Sequence, residues 1–171
     1  MNILVNDTLK LKASNINELN ELNIIHDEAC EYFSFDENHI ITSPYDCLTI
    51  GDLPPNGIKD NFYILSIYEN NQIIGYTTLY KNFPEKDTLY ICFMYVSNLK
   101  RGNGYGYNIV ESISSYFRAN NCNNIKISVS LRNWQGIRFW NKCGFSTIAN
   151  VDIDGPFGNS NYGSLELEKI I

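Results

Sequence analysis

A glycine-rich turn at residues 101–106, with the sequence Arg-Gly-Asn-Gly-Tyr-Gly, constrains the fold of this chain more than any other feature. The apolar, aromatic and β-branched run at residues 89–96 before the turn predicts a buried strand. Apolar residues recur at helical spacing from Ile109 to Phe117 and predict a helix that begins at the turn. Glycine tolerates positive φ and adds no side-chain bulk, so the turn can present several N–H groups to one ligand. With the positive end of the helix dipole, these groups predict an anion site suited to phosphate.

The spacing of the glycines excludes two common phosphate loops. A dinucleotide fingerprint, Gly-x-Gly-x-x-Gly, needs a glycine three residues after Gly104, where this chain has Tyr107. A Walker A loop needs Gly-Lys-Ser or Gly-Lys-Thr after four spacer residues, and the chain lacks that sequence. The pattern that remains, Arg-x-x-Gly-x-Gly, resembles the acetyl-CoA pyrophosphate loop of the GNAT family of N-acetyltransferases, Gln/Arg-x-x-Gly-x-Gly/Ala.

A second segment carries the same resemblance. Residues 133–145, Asn-Trp-Gln-Gly-Ile-Arg-Phe-Trp-Asn-Lys-Cys-Gly-Phe, are similar to the family segment Asn-x-x-Ala-x-x-Phe-Tyr-x-Lys-x-Gly-Phe. The two segments stand in the family's order, with a predicted helix and strand between them. The resemblance implies an α/β (α+β) fold, in which helices flank a mixed, mostly antiparallel sheet. It also implies that two parallel strands splay apart and form the slot for the pantetheine arm of the cofactor.

Hydrophobic periodicity predicts the other elements. Strands are predicted at residues 8–13, 62–68, 73–80, 125–131, 145–151 and 163–170. Helices are predicted after a capping box at Asn15, at residues 105–118 and at residues 134–143, whereas residues 33–61 predict a short helix and a loop. Short connections predict an antiparallel meander, and the strand–helix–strand order across the glycine turn predicts a parallel pair. The length of 171 residues predicts one domain, residues 1–171.

Charge is distributed unevenly along the chain. The net charge is −6, yet residues 100–142 carry +6 and the remainder carries −12. A locally positive segment suits a polyanionic cofactor, and an acidic remainder suits a cationic acceptor. An acidic chain without a dense basic stripe disfavours nucleic-acid binding. The resemblance implies that residues 33–61 help to form the acceptor site.

Neither a membrane span nor a metal site is predicted. The chain has no run of about 18 apolar residues, and its first residues lack the basic flank and apolar core of a signal peptide. We therefore expect a cytoplasmic protein. Its five cysteines are odd in number, scattered and without Cys-x-x-Cys or zinc-ligand spacing, which predicts free thiols. The sequence leaves a homodimer open.

The resemblance also implies which residues hold acetyl-CoA. The pyrophosphate would lie on the N–H groups of residues 102–106, and the pantetheine amides on the backbone of Met94 and Val96. The Met94 N–H matches the position that polarises the thioester carbonyl in relatives. Asn133 matches a cofactor-side asparagine and also suits a helix cap, while Arg101 either pairs with phosphate or lies at the surface. The cofactor-binding candidates are Met94, Val96, Arg101, Gly102, Asn103, Gly104, Tyr105, Gly106, Asn133 and Trp140.

The catalytic side chains depart from the family pattern. Trp140 replaces the tyrosine that protonates the departing thiolate in many relatives, and an indole N–H does not give up its proton. Tyr90 and Cys92 occupy strand positions where some relatives carry a proton-relaying residue. Because tyrosine is a poor base at neutral pH, both are candidates first for the acceptor wall and then for a proton relay through water. His26 and His39 lie far from the motifs in sequence and are interpreted as surface or capping residues before a base.

The residues and the resemblance together predict an acetyl-CoA-dependent enzyme. An amine of a small molecule or a peptide would attack the thioester directly in a ternary complex. Transfer through Cys92 or Cys143 is less favoured, because no basic partner adjoins either cysteine in sequence. The missing tyrosine leaves open a second interpretation, a non-catalytic acyl-CoA binding or sensor module. A third is a phosphate-binding domain for another nucleotide.

Overall fold

The computed structural model describes residues 1–36, 40–155 and 162–171. In these ranges the strands are β1 (Asn2–Leu4), β2 (Leu9–Ala13), β3 (Phe62–Glu69), β4 (Gln72–Lys81), β5 (Thr88–Val96), β6 (Asn124–Ser130), β7 (Thr147–Ile153) and β8 (Gly163–Ile170). The α-helices of the same ranges are α1 (Leu19–Phe33), α2 (Pro44–Thr49), α3 (Tyr105–Ala119) and α4 (Trp134–Lys142). None of these helices has both the length and the apolar character that a membrane crossing requires.

The strands form one mixed sheet in the order β1-β2-β3-β4-β5-β6-β8-β7. All neighbouring pairs are antiparallel except β5 and β6, which are parallel. A parallel pair needs a crossover connection, and α3 provides it between β5 and β6. The predicted fold class, with its antiparallel meander and its single parallel pair, is confirmed.

Helices cover the two faces of the sheet because the central strands alternate their side chains. In β3, Leu65 and Ile67 belong to the core that contains the buried face of α3, and Ile64 belongs to the core that contains α1 and α2. The buried residues of α3 are Ile109, Val110, Ile113, Ser114 and Phe117, at helical spacing. Burial of each large apolar side chain stabilises the fold by about 1.5–3 kcal/mol.

The first part of the chain differs in detail from the prediction. Asn15 caps a 3₁₀ turn at Ile16–Glu18, with its Oδ1 accepting from the Asn17 N–H at 3.0 Å, and α1 continues from that turn. The strand β1 was not predicted, since three residues give no readable alternation. The short helix expected within residues 33–61 is α2, and Ser43 caps it. His39 lies outside the described residues.

Candidate active site

The parallel strands separate halfway along their length. Residues 88–91 of β5 pair with residues 124–127 of β6, although β5 continues to Val96 and β6 to Ser130. Cys92 is an extra residue of β5, because residues 91 and 93 pair with the consecutive residues 79 and 78 of β4. Such a bulge bends a strand and increases its twist. The result is a gap between the C-terminal ends of β5 and β6.

Backbone groups of β5 face this gap. The Ser97 N–H, just past β5, donates to the Ile74 carbonyl of β4 at 2.8 Å. Successive residues of a strand direct their polar groups to opposite edges, so those of Val96 and Met94 point away from β4 and toward the gap. The Val96 carbonyl accepts from Arg101 Nε at 3.1 Å, in agreement with this direction. Met94 and Val96 therefore offer donors and acceptors to an extended chain that contains amides.

The glycine turn follows the end of β5. Gly102 and Gly104 have φ values of +82° and +77°, in the left-handed region that favours glycine. A Cβ at either position would meet no atom within 4 Å, so the space beside both residues is open. Gly104 caps α3, and its carbonyl accepts from the Asn108 N–H at 3.1 Å. The N–H groups of residues 105–107 have no partners within the helix, and they present the positive end of the helix dipole beside the turn.

Two other glycines allow close packing around α4. A Cβ on Gly106 would lie 3.0 Å from Phe139 Cε2, so Gly106 lets the first turn of α3 approach α4. A Cβ on Gly136 would lie 2.5 Å from Asn133 Nδ2. Gly136 thus leaves room for Asn133, whose Oδ1 caps α4 by accepting from the Gly136 N–H at 2.8 Å. These contacts bring the two segments of the family resemblance together.

A cleft of about 450 Å³ adjoins both the glycine turn and the C-terminal end of β5. Its lining includes these sequence-predicted cofactor residues: Met94, Val96, Arg101, Gly102, Gly104, Tyr105, Gly106, Asn133 and Trp140. Asn103 is not among the lining residues, and its side-chain amide donates to the Lys100 carbonyl at 3.2 Å. The structure therefore gathers residues from both motifs into one concave surface.

Arg101 lies along the wall of this cleft. Its guanidinium carbon is 4.2 Å from the ring centroid of Tyr32 and 4.5 Å from that of Tyr95, which are cation–π distances. The Tyr32 hydroxyl also donates to Gln135 Oε1 at 3.2 Å and so links α1 to α4 across the cleft. Arg101 is held by aromatic rings and by the Val96 carbonyl, which places its positive charge beside the glycine turn.

Glu69, at the end of β3, stabilises the glycine turn through contacts with Lys100 and Tyr105. Its carboxylate forms an ion pair with Lys100 at 2.5 Å and accepts a hydrogen bond from the Tyr105 hydroxyl. These two hydrogen bonds lower the pKa of Glu69. Lys126 is likewise paired, at 3.3 Å from Glu166. Acidic residues from the rest of the chain therefore offset part of the positive charge that the sequence places in residues 100–142.

A smaller inner cavity of about 60 Å³ adjoins the cleft near the point where β5 and β6 part. It shares Phe33, Met94, Asn133 and Trp140 with the cleft. The Trp140 ring packs edge-on against Phe139 and Phe145, with ring centroids 5.0 and 5.1 Å away. Trp140, at the position of the family tyrosine, thus lines the cleft and also packs against the hydrophobic core.

Asp36 lines the inner cavity, and the sequence did not single it out. Its side chain is only 3% exposed, and its Oδ2 accepts from Ser130 Oγ of β6 at 2.5 Å. No described residue forms a hydrogen bond with its Oδ1. The one available sequence signal is an acid placed directly after the aromatic segment at residues 32–35. Its partner Ser130 is 94 positions away, so the sequence could not reveal the contact.

Tyr90 and Cys92 occupy different surroundings. Cys92 lines the inner cavity, whereas Tyr90 lines neither this cavity nor the cleft and packs on Phe83, with ring centroids 5.6 Å apart. Burial raises the pKa of Cys92 to about 12 and also raises the pKa of Tyr90. Both groups therefore stay protonated at neutral pH and cannot act there as bases.

A third cavity of about 40 Å³ lies next to Cys92 and Phe93, which also line the inner cavity. Asp52, Tyr76 and Thr78 are among its lining residues. In the described part of the chain, nothing forms a hydrogen bond with the buried Thr78 Oγ1. His26 does not line this cavity, but its Nδ1 lies 3.0 Å from the hydroxyl of Tyr76, which does.

Comparisons with known proteins agree with this geometry. A family model described as the acetyltransferase (GNAT) family matches residues 22–145. A search of curated proteins found no match. An acetyltransferase from Salmonella typhimurium, described as modifying the N-terminal serine of a 50S ribosomal subunit protein, has a TM-score of 0.78 and 14% identity over 100% of this chain and 99% of its own.

Two further solved structures share the fold. The microcin self-immunity acetyltransferase MccE, in complex with acetyl-CoA and AMP, has a TM-score of 0.74 and 16% identity over 98% of this chain and 94% of its own. The spermidine N-acetyltransferase from Vibrio cholerae, in complex with CoA and spermine, has a TM-score of 0.71 and 15% identity over 96% of each chain. The family model spans most of the sequence. The chain therefore belongs to the GNAT family of acetyltransferases.

Proposed function

We propose that this chain transfers an acetyl group from acetyl-CoA to a primary amine by direct attack in a ternary complex. The observation that carries the proposal is the path from the glycine turn, through the 450 Å³ cleft, to the gap between β5 and β6. Acetyl-CoA presents its parts in the same order: a diphosphate, an arm with two amides, and a thioester. Two proteins of the same fold are described as complexes with acetyl-CoA or CoA.

Each part of the cofactor has a proposed partner. The N–H groups of residues 102–106 bind the diphosphate, and Arg101 adds positive charge beside them. The backbone of Val96 and Met94 binds the pantetheine amides. The Met94 N–H then donates to the thioester oxygen, where negative charge develops as the nitrogen attacks. Asn133 and Trp140 form the opposite wall.

Direct attack is favoured over a covalent acetyl-cysteine. A cysteine nucleophile reacts as its thiolate. Burial raises the pKa of Cys92 to about 12 and that of Cys143 to about 11, so both thiols stay protonated at neutral pH. An amine that reaches the thioester therefore meets no competing protein nucleophile from these two residues.

The acceptor proposed here is a cationic amine on a small molecule or a peptide. The inner cavity contains Asp36 and the third cavity, next to Cys92 and Phe93, contains Asp52. The described residues that line these two cavities include no lysine, arginine or histidine. Negative charge near the acceptor suits a molecule that carries ammonium groups. The relatives in fold include one described as acting on an N-terminal serine and one solved with spermine.

The experiment is CoA release from acetyl-CoA over a panel of polyamines, amino acids, aminoglycosides and short peptides. We expect turnover with at least one amine, together with a calorimetric binding isotherm for acetyl-CoA. Tight binding without turnover on the whole panel would support the non-catalytic module instead. If ATP raised the melting temperature more than acetyl-CoA does, the site would belong to another nucleotide.

A further inference from the structure

We propose that Asp36 carries the proton from the attacking amine nitrogen to the departing CoA sulfur, and so replaces the tyrosine that this chain lacks at Trp140. The inference rests on the proposed function, since it assigns the proton path of that reaction. It concerns a residue outside both motifs.

Burial and hydrogen bonding single out this carboxylate. Asp36 is 3% exposed, and its Oδ2 is held by Ser130 Oγ at 2.5 Å. Ser130 Oγ in turn accepts from the Arg132 N–H at 3.2 Å, which fixes the hydroxyl on β6. Asp36 Oδ1 has no hydrogen-bond partner in the described ranges, although a buried carboxylate oxygen without a donor is costly. A carboxylate oriented at one oxygen and free at the other is suited to receive a proton from a ligand.

The inner cavity places the Asp36 side chain beside the reaction centre of the proposed function. Asp36 lines the cavity together with Met94, whose N–H faces the gap, and with Trp140, at the motif position of the family tyrosine. The cavity adjoins the cleft at the end where the arm of acetyl-CoA would finish. The thioester carbon, the attacking nitrogen and the leaving sulfur would therefore all lie near Asp36.

Other groups at the cavity are unsuited to this task. Among the described residues that line it, Asp36 and Cys92 are the only ionisable side chains. Cys92 stays a neutral thiol at neutral pH, because burial raises its pKa to about 12. Tyr90 does not line the cavity. Trp140 does line it, but its indole N–H does not give up its proton.

The proton transfer balances without any further reactant. The neutral amine attacks the thioester carbon, a C–N bond forms, and the nitrogen becomes positively charged. The Asp36 carboxylate stabilises that charge and takes one proton from the nitrogen. The C–S bond then breaks, the electron pair leaves with sulfur, and Asp36 returns the same proton to the thiolate. The products are an acetamide and CoA thiol, and the carboxylate is regenerated.

The first test needs no acceptor. We expect Asp36 to raise the pKa of the thiol of bound CoA, since a neighbouring negative charge disfavours the thiolate. Asp36→Asn should lower that thiol pKa by about 1 unit. The pKa is read from thiolate absorbance of the protein saturated with CoA, with desulfo-CoA as the blank. Asp60→Asn, which removes an exposed acid of the 3₁₀ turn at Lys59–Asn61, is the matched control and should match the wild type. An unchanged thiol pKa in Asp36→Asn would overturn the inference.

The second test uses turnover with an amine that the wild type acetylates. Asp36→Asn should lower kcat about 100-fold, while the KM for acetyl-CoA and the circular dichroism spectrum stay unchanged. Formate should restore part of the kcat of Asp36→Ala, because the small acid can occupy the vacated space and carry the proton. Asp36→Asn with wild-type kcat, or Asp36→Ala that formate does not rescue, would contradict the proton role. If the wild type acetylated no amine while the thiol pKa still depended on Asp36, the proposed acetyl transfer would fail and the placement of Asp36 beside the sulfur would stand.

Discussion

Gly104→Ala tests the glycine turn, and the chain contains a matched control for it. Gly104 has φ +77° and Gly144, just past α4, has φ +90°. An alanine in the left-handed region costs about 1–2 kcal/mol. Neither position adds a clash, because a Cβ on Gly104 would meet nothing within 4 Å and a Cβ on Gly144 would come no closer than 3.5 Å to Lys169. Both variants should therefore lose about 1–2 kcal/mol of unfolding free energy in urea titrations.

Gly104→Ala and Gly144→Ala should differ in their affinity for acetyl-CoA. The methyl group on residue 104 would enter the open space beside the turn and hold a phosphate oxygen away from the backbone N–H groups. Loss of one hydrogen bond to a charged group costs about 1.5–3 kcal/mol, which is about a 10- to 100-fold rise in Kd. Isothermal titration with acetyl-CoA should give this rise for Gly104→Ala and a wild-type Kd for Gly144→Ala. Equal Kd values for the two variants would refute the assignment of the turn.

Three further predictions concern Glu69 beside the glycine turn, the inner cavity, and Cys92. Hydrogen bonds from Lys100 and Tyr105 lower the folded-state pKa of Glu69, so this stabilisation is present above its ordinary pKa of 4.5 and is lost as the pH falls through the lowered value. Glu69→Gln should therefore flatten the acid limb of the unfolding free energy against pH, and parallel curves for wild type and variant would contradict this. Trp140→Tyr should raise the turnover of Asp36→Asn, because a phenol can donate a proton into the cavity that they share; no recovery would mean that residue 140 does not reach the sulfur. Mass spectrometry after incubation with acetyl-CoA should find Cys92 unmodified, and an acetylated Cys92 would contradict direct attack.

The sequence was most informative where local rules act. The apolar run of β5, the glycines with positive φ and the periodic face of α3 each express a local constraint, and together they predict the strand, turn and helix that line the cleft. The parallel pairing of β5 and β6 follows from the crossover helix between them. Local pattern therefore predicted the antiparallel meander and the parallel pair, whereas the family resemblance implied the fold class and the cofactor candidates.

Contacts between residues far apart in the sequence could not be predicted from local patterns. The pairing of Glu69 with Lys100 spans 31 positions and changes the charge of the turn, and the contact of Asp36 with Ser130 spans 94. Gly106 was predicted as a phosphate-turn glycine, and its tight approach to Phe139 becomes visible only once α3 and α4 are packed. Burial also decides the protonation of Cys92, which a sequence position cannot show.

A crystal structure of the chain with bound CoA would show whether the glycine turn holds the cofactor. We expect the diphosphate on the N–H groups of residues 102–106, the arm hydrogen-bonded to Met94 and Val96, and the sulfur in the cavity beside Asp36. An empty glycine turn with CoA bound elsewhere, or β5 and β6 closed against each other along their full length, would contradict it.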